Sequence, residues 1–404
     1  MSRSYRSCFA LSTLVAACSS SDPAQPSPDG ITFSMVAQLE AGKEVHLCQY
    51  VQMPTSADGE IWVSGRSHQY NAGSHHYGLY RTTIDSLPDG FDFNQPQDCW
   101  GPTDPMKYTT DFIVLEQTQR ASVDFPEGVG LRFKSGEILM VQLHALNPQA
   151  VAADATLDVE LKTVAKSKVV SEMSLLQFYD PFIYVPPQAD AKAGMRCQIP
   201  NDLTLMEGNG HFHLKGVDFQ AFLDPPQGDR ATISFLESTD WEHPQQYQGT
   251  MSIPAGSHVR FQCQYRNPDA RPYIQGQDKF ENEMCMFWGY AYPAPADRMA
   301  INCAGPYGDE FGVGTKTCAE TTACLQLCPA GEAPSFGVAG RVDVGPCFQK
   351  CMVESCPNAD ALVARQNRCI QMQCQAECAA GDCASCAIAK CADEVTACQT
   401  AACN

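Results

Sequence analysis

Apolar and polar residues alternate in short runs through most of the chain up to about residue 305, and Gly, Pro and Asp punctuate the runs. A period of two marks strands with one face covered and the other wet. Between Ile31 and residue 165, the runs 60–67, 76–84, 111–118, 137–144 and 155–164 follow this pattern at the spacing of an antiparallel sandwich. From 166 to 305 the segments 231–239, 257–266 and 283–293 supply further strands. Beyond 306 large apolar residues become scarce, Ala and Gln become common, and the sequence favours helix. The chain is therefore expected to be all-β over two antiparallel, jelly-roll-like β-sandwich domains, 31–165 and 166–305. A small cysteine-rich helical module, 306–404, follows. Residues 1–17 place Arg3 and Arg6 ahead of an apolar run too short for a bilayer span, which needs about 20 apolar residues, and read as a signal peptide. The polar stretch 18–30 has nothing to bury and reads as a tether.

Composition narrows the setting. A formal net charge of −19 argues against nucleic acid or an anionic membrane surface as partner. Twenty-two cysteines are too many for a reducing cytosol and imply export. Val15-Ala16-Ala17-Cys18 reads as a bacterial lipobox, cut before Cys18 so that its thiol takes up lipid. An ordinary cleaved signal with a chance cysteine is the alternative. The lipobox reading puts the protein at the bacterial outer membrane or cell surface, touching membrane only through Cys18. Cys48 and Cys99 are the only cysteines of the first domain and are expected to be bonded. In the module, Cys324/Cys328 and Cys347/Cys351 each share one helix face, so two helices can be stapled as Cys324–Cys351 and Cys328–Cys347. The pairing of the later cysteines, from Cys369 to Cys403, stays open. Zinc would need few, well-separated pairs, so the module reads as a stapled scaffold for binding or spacing, without a catalytic role.

Candidate chemistry concentrates in the histidines. Nine occur in 404 residues, and five fall in three places: His75–His76 in SHHYGLYRT, His144 ending EILMVQLH, and His211 and His213 in GHFHLKG. These places lie about seventy residues apart, and Met284 follows at a similar interval. At i and i+2, His211 and His213 share one face of a strand that Val217, Phe219, Ala221 and Leu223 continue until Asp-Pro-Pro ends it. His75 and His76 are adjacent and would face opposite ways on a regular strand. A bulge or strand end near Gly73-Ser74 must re-aim one of them. His46, His68, His243 and His258 read as bystanders, with His68 the nearest to a supporting role. Imidazole suits zinc, copper, iron or nickel, and a thioether favours Cu(I). Three imidazoles in one half, and two with a thioether in the other, read as a two-copper redox protein. The plainer alternatives are a polar turn at 75–76, a metal-free pair at 211 and 213, and a gap-filling Met284.

The segments HHYGLYRT, VQLHALNP, HFHLKG and ENEMCMFWGYAYP, in this order and spacing over roughly residues 31–305, resemble the copper-ligand segments of the copper type II, ascorbate-dependent monooxygenases. That group includes dopamine β-hydroxylase and peptidylglycine α-hydroxylating monooxygenase. The resemblance implies an electron-transfer copper on His75, His76 and His144, and an oxygen-binding copper on His211, His213 and Met284. It also implies the disulfides Cys197–Cys303 and Cys263–Cys285, and hydroxylation of a C–H bond of a small organic substrate with dioxygen and ascorbate. Two positions near the substrate depart from the family. Asn209 stands where the peptide-amidating branch has arginine, and Trp288 where members carry tyrosine; a neutral amide cannot make the bidentate pair with a carboxylate. This argues against peptide amidation and leaves an aromatic or amine-like molecule. A non-catalytic copper-binding lipoprotein and an adhesive surface protein are the competing readings.

Overall fold

The computed structural model describes residues 30–404 apart from 72, 148, 227–230, 277–279, 296–300, 303–313, 330–331, 333–334, 337–341, 344, 358 and 404. The expected signal peptide 1–17, Cys18, nearly all of the tether 18–30, and Cys303 lie outside the described residues.

The first domain begins with β1 (Ile31–Leu39), β2 (Glu44–Gln52), β3 (Glu60–Tyr70), β4 (Ser74–Thr82) and β5 (Gln97–Asp98). It continues with β6 (Thr109–Glu116), β7 (Arg120–Asp124), β8 (Val129–Lys134), β9 (Ile138–Leu146), β10 (Ala153–Val164) and β11 (Ser171–Glu172). Two sheets form, ordered β1-β10-β3-β8-β11 with β7 also on β3, and β5-β2-β9-β4-β6. Because β11 pairs with β8, the chain stays with the first sandwich a little past the expected boundary at residue 165. Along β9 the odd positions Leu139, Val141, Leu143 and Ala145 fill the interior of the sandwich. On its outer face Ile138 and Met140 pack with Tyr50, Phe91 and the Cys48–Cys99 bond. Both faces of β9 are thus covered, and its run reads as continuously apolar except where Gln142 and His144 interrupt the outer face.

The second domain comprises β12 (Ser174–Tyr179), β13 (Tyr184–Val185), β14 (Ala189–Gln198), β15 (Leu203–Phe212), β16 (Gly216–Asp224) and β17 (Ile233–Ser238). It closes with β18 (Gln246–Ile253), β19 (His258–Asn267), β20 (Tyr273–Ile274), β21 (Cys285–Tyr292) and β22 (Ile301–Asn302). Its sheets are ordered β18-β15-β21-β12-β22 and β14-β19-β16-β17. Alternation on β21 assigns its two faces to different neighbours. Cys285, Phe287 and Ala291 join the second sandwich's core, whereas Met286, Trp288 and Tyr290 cluster with Tyr77, Phe112 and Val114 of the first. The domains therefore share a buried apolar interface. Arg66 of β3 crosses it to Glu207 of β15 at 2.8 and 3.1 Å and also pairs with Glu116 at the end of β6. All three side chains are at most 4% exposed.

The module is helical: α1 (Cys318–Gln326), α2 (Pro346–Val353), α3 (Ala359–Gln373), α4 (Gln375–Ala379), α5 (Cys383–Lys390) and α6 (Ala392–Thr400). Thr317 and Glu320 form a capping box that starts α1. The bonds Cys324–Cys351 and Cys328–Cys347 are present as the i,i+4 spacing predicts. The open pairings resolve as Cys318–Cys398, Cys356–Cys403, Cys369–Cys391, Cys374–Cys386 and Cys378–Cys383. Sulfur that is oxidised in pairs is withdrawn from zinc chemistry, and so many disulfides mark an exported, oxidising setting. Among the described residues no helix is long and apolar enough to cross a membrane. Phe348, Met352 and Val353 of α2 enter the core of the second sandwich. Between them Gln349, fully buried, accepts the backbone N–H groups of Ile183 (3.1 Å) and Gln275 (2.8 Å).

Candidate metal centre

Three adjacent strands bring the first cluster together. In the β2-β9-β4 array, His144 on β9 lies directly opposite His46 on β2 and His76 on β4. Opposite residues of antiparallel strands share a face, so three imidazoles stand in a row on the outer face. His46 and His144 stack with centroids 4.0 Å apart, and His76 and His144 lie 4.9 Å apart. His46, His76 and His144 offer nitrogen atoms all within 4.8 Å of one another. The ladder slips between Ser74 and His76, which makes His75 the extra residue of a bulge, as its adjacency to His76 requires. Re-aimed in this way, His75 brings Nδ1 to 3.0 Å from His76 Nδ1 and its ring to 5.3 Å from His144. His46, expected to be a bystander, is a full member of the cluster. Sequence spacing carries no register between strands, which is why it escaped notice. His68 lies on β3 in the other sheet, its Nε2 on Thr118 O at 2.7 Å, and His243 is on an exposed turn with Asp240.

Outer contacts orient these rings. Glu44 Oε1 lies 2.7 Å from His144 Nε2 and orients that ring. Burial, and then the neighbouring imidazoles, hold His76 well below its usual pKa. A neutral ring is the form that binds metal.

The second cluster sits at a corner. β15 ends at Phe212, and a turn over 213–215, closed by Gly216 N–H to His213 O at 2.9 Å, sends the chain into the opposite sheet as β16. The strand expected to run unbroken through the motif is therefore two strands. Both glycines of GHFHLKG are packing requirements: a Cβ on Gly210 would sit 2.4 Å from the Phe219 ring, and one on Gly216 would sit 2.1 Å from the Phe212 ring. His211 and His213 lie 5.1 Å apart. His213 Nδ1 faces Asn282 O at 3.1 Å and His211 Nδ1 faces Gln117 Oε1 at 3.2 Å, so on both rings Nδ1 carries the proton. The Gln117 amide is oriented by its own Nε2, which donates to Trp241 O and Glu242 O. Burial, then His213, pushes His211 down to about 3.

Register places Met286 opposite His211 and Cys285 opposite Phe212, so Met284 falls one step beyond the ladder, across from His213. Its carbonyl accepts the Tyr265 hydroxyl at 2.7 Å, and Cys285 is bonded to Cys263. Cys197 is disulfide-bonded too; its expected partner Cys303 lies outside the described residues. Glu283, fully buried, accepts the N–H groups of His213 (3.1 Å) and Lys215 (2.7 Å) and so ties the histidine turn to the methionine segment. Burial pushes its carboxyl up to about 8 against the pull of those N–H groups.

The clusters face each other across the domain interface. Gln117 belongs to the first domain and holds His211 of the second; Trp241 of the second packs 5.7 Å from His75 of the first. His211 is near enough to His76 to oppose its protonation. Asn209 and Trp288 pair across β15 and β21 on the face that carries His211, each 1% exposed, and Trp288 lies 6.0 Å from His211. Asn209 Nδ2 and Trp288 Nε1 are buried donors with no hydrogen-bond partner among the described residues. Clustered imidazoles, with His76 and His211 held neutral by burial, are a donor set that suits a borderline metal such as copper.

No protein-family model matches the chain, and no curated protein matches it. Solved structures align only loosely. VP54 of PBCV-1, fitted into a reconstruction of the virophage Sputnik, is 8% identical over 67% of this chain and 95% of its own, with a TM-score of 0.21. The major capsid protein P2 from bacteriophage PM2 is 8% identical over 65% and 99%, at 0.24. The infectious bursal disease virus Gx strain structure is 10% identical over 68% and 75%, at 0.18. Superpositions this shallow constrain neither the chemistry nor the partners of the chain.

Proposed function

We propose that this chain is an exported copper monooxygenase of the type II, ascorbate-dependent kind, to which its histidine and methionine segments are similar. It inserts one oxygen atom from dioxygen into a C–H bond of a small organic molecule, with ascorbate or a similar one-electron donor as reductant. The observation that carries this reading is the meeting of two imidazole groups at one interface, with His75, His76 and His144 on one side and His211 and His213 on the other. Copper bound to each group would supply one-electron chemistry, and Met284 in the second set favours Cu(I) there. The residues of the chain do the rest. Asn282 and Gln117 fix the tautomers of His213 and His211, Glu283 holds the turn, and burial keeps His76 and His211 neutral.

Asn209 and Trp288 give the substrate its recognition. Two buried donors side by side call for an acceptor, and a buried donor left unmade costs about 1–3 kcal/mol. A neutral or amine-like molecule with a hydroxyl or carbonyl near the reacting carbon, stacked on Trp288, meets that demand. Cys18 is the lipid attachment point in this reading and holds the enzyme at a bacterial outer membrane or cell surface.

The near-complete burial of Asn209 and Trp288 favours a second reading, a copper-binding lipoprotein that buffers or relays copper without turnover. Copper content together with product mass separates the two. The enzyme should hold two coppers per chain, consume oxygen only with ascorbate, and yield a product heavier by one oxygen. Met284→Ile is expected to abolish oxygen uptake and leave the first centre's copper in place. Two coppers without any hydroxylated product would leave the carrier, and no stoichiometric copper would end both.

A further inference from the structure

We propose that His46 is a copper ligand, the fourth imidazole of the first centre. The inference rests on the copper reading above and concerns a residue that the resemblance does not assign. Strand β2 presents Glu44, His46 and Cys48 at i, i+2 and i+4, all on the face that carries the cluster. Each does a different job. Glu44 orients His144 through Nε2 at 2.7 Å. Cys48 is bonded to Cys99, and the Cys99 N–H donates to the His46 carbonyl at 2.8 Å, extending the β5–β2 ladder and pinning the backbone of His46 at the sheet edge. His46 itself stacks on His144, its ring 6.2 Å from His76 and edged by Trp100 at 6.1 Å.

Distances decide between a ligand and a neighbour. Metal–nitrogen bonds of about 2.0 Å at tetrahedral angles set donor atoms about 3.3 Å apart. The His75 and His76 Nδ1 atoms stand at 3.0 Å, and one nitrogen each of His46, His76 and His144 lie within 4.8 Å of one another, so binding would turn the stacked His46 and His144 rings out of their parallel planes toward a shared metal. Four imidazoles fill a tetrahedral shell. The first centre is then closed to exogenous ligands and restricted to storing and passing electrons, which leaves binding of small molecules to the second.

Pulsed EPR on copper(II)-loaded full-length protein, in a His211→Ala/His213→Ala background that isolates the first centre, counts the coordinated imidazoles. Four are expected, falling to three in His46→Gln, while His258→Gln keeps four. His46→Gln is also expected to weaken copper binding by more than the roughly 10–100-fold that loss of an orienting partner costs. Three imidazoles before mutation, or an unchanged count in His46→Gln, overturns the assignment, and the first of these needs no variant at position 46 to fold. Absence of any copper in the background protein would sink the copper reading itself rather than this inference alone.

Discussion

Asp180 illustrates how a single buried side chain writes its protonation into the stability of the fold. With no exposed surface, it accepts the N–H groups of Phe182 and Gly194, both at 2.9 Å. Burial first, and the nearby carboxylate of Asp360, hold its carboxyl well above the usual range, against the pull of those N–H groups. The folded protein therefore keeps a proton that the unfolded chain gives up above about pH 4. That contribution is whole below pH 4 and is lost as pH rises toward the folded pKa. Asp180→Asn, neutral throughout, is expected to lose less stability than wild type between about pH 4 and pH 8. Urea unfolding at both values checks this, and equal losses would dismiss it. Which single residues the sequence disclosed follows from the same physics. His75, His76, His144, His211 and His213 stood out because their chemistry is rare and their spacing regular. Gln117 and Trp241 are ordinary residues that matter only through a contact between domains, and no periodicity encodes such a contact.

At the level of elements, the pattern of alternation located most strands, and the adjacency of two histidines foretold the bulge at the start of β4. The break at 213–215 was hidden because an apolar alternation resumes on the far side of the turn, although the core-facing positions change from even (Phe212) to odd (Phe219, Ala221 and Leu223). The row across β2, β9 and β4 depended on register, which turn geometry and core packing set together. The staple beside that row makes a prediction. Replacing both Cys48 and Cys99 by Ala is expected to cost about 2–5 kcal/mol of stability. If the first cluster holds copper as proposed, the change should also weaken binding there and leave the second cluster unchanged, because β2 loses its edge staple. Chemical unfolding and metal titration of the same samples read both effects; full copper affinity in the variant would deny the anchor its role.

For the whole molecule, composition foretold a stapled helical tail but not its attachment. Gln349 satisfies two buried backbone N–H groups of the second sandwich, and Phe348 and Met352 extend that sandwich's core. Gln349→Leu keeps the bulk and removes the acceptor. A loss of about 2–4 kcal/mol is expected from the stranded N–H groups, together with faster proteolysis between the second sandwich and α1. Undiminished resistance to protease would mean that the tail is held by its apolar contacts alone. The same logic applies where Arg66, Glu116 and Glu207 meet between the sandwiches. Arg66 and Glu116 belong to the first half and Glu207 to the second, so replacing Glu207 by Gln would leave Arg66 with one carboxylate in a buried site, a change of the kind that typically costs about 3–5 kcal/mol. A hinge is therefore a poor doorway in this protein. His46, His75, His76 and His211 all keep some surface of their own, so a solute can touch these rings while the two sandwiches stay locked together.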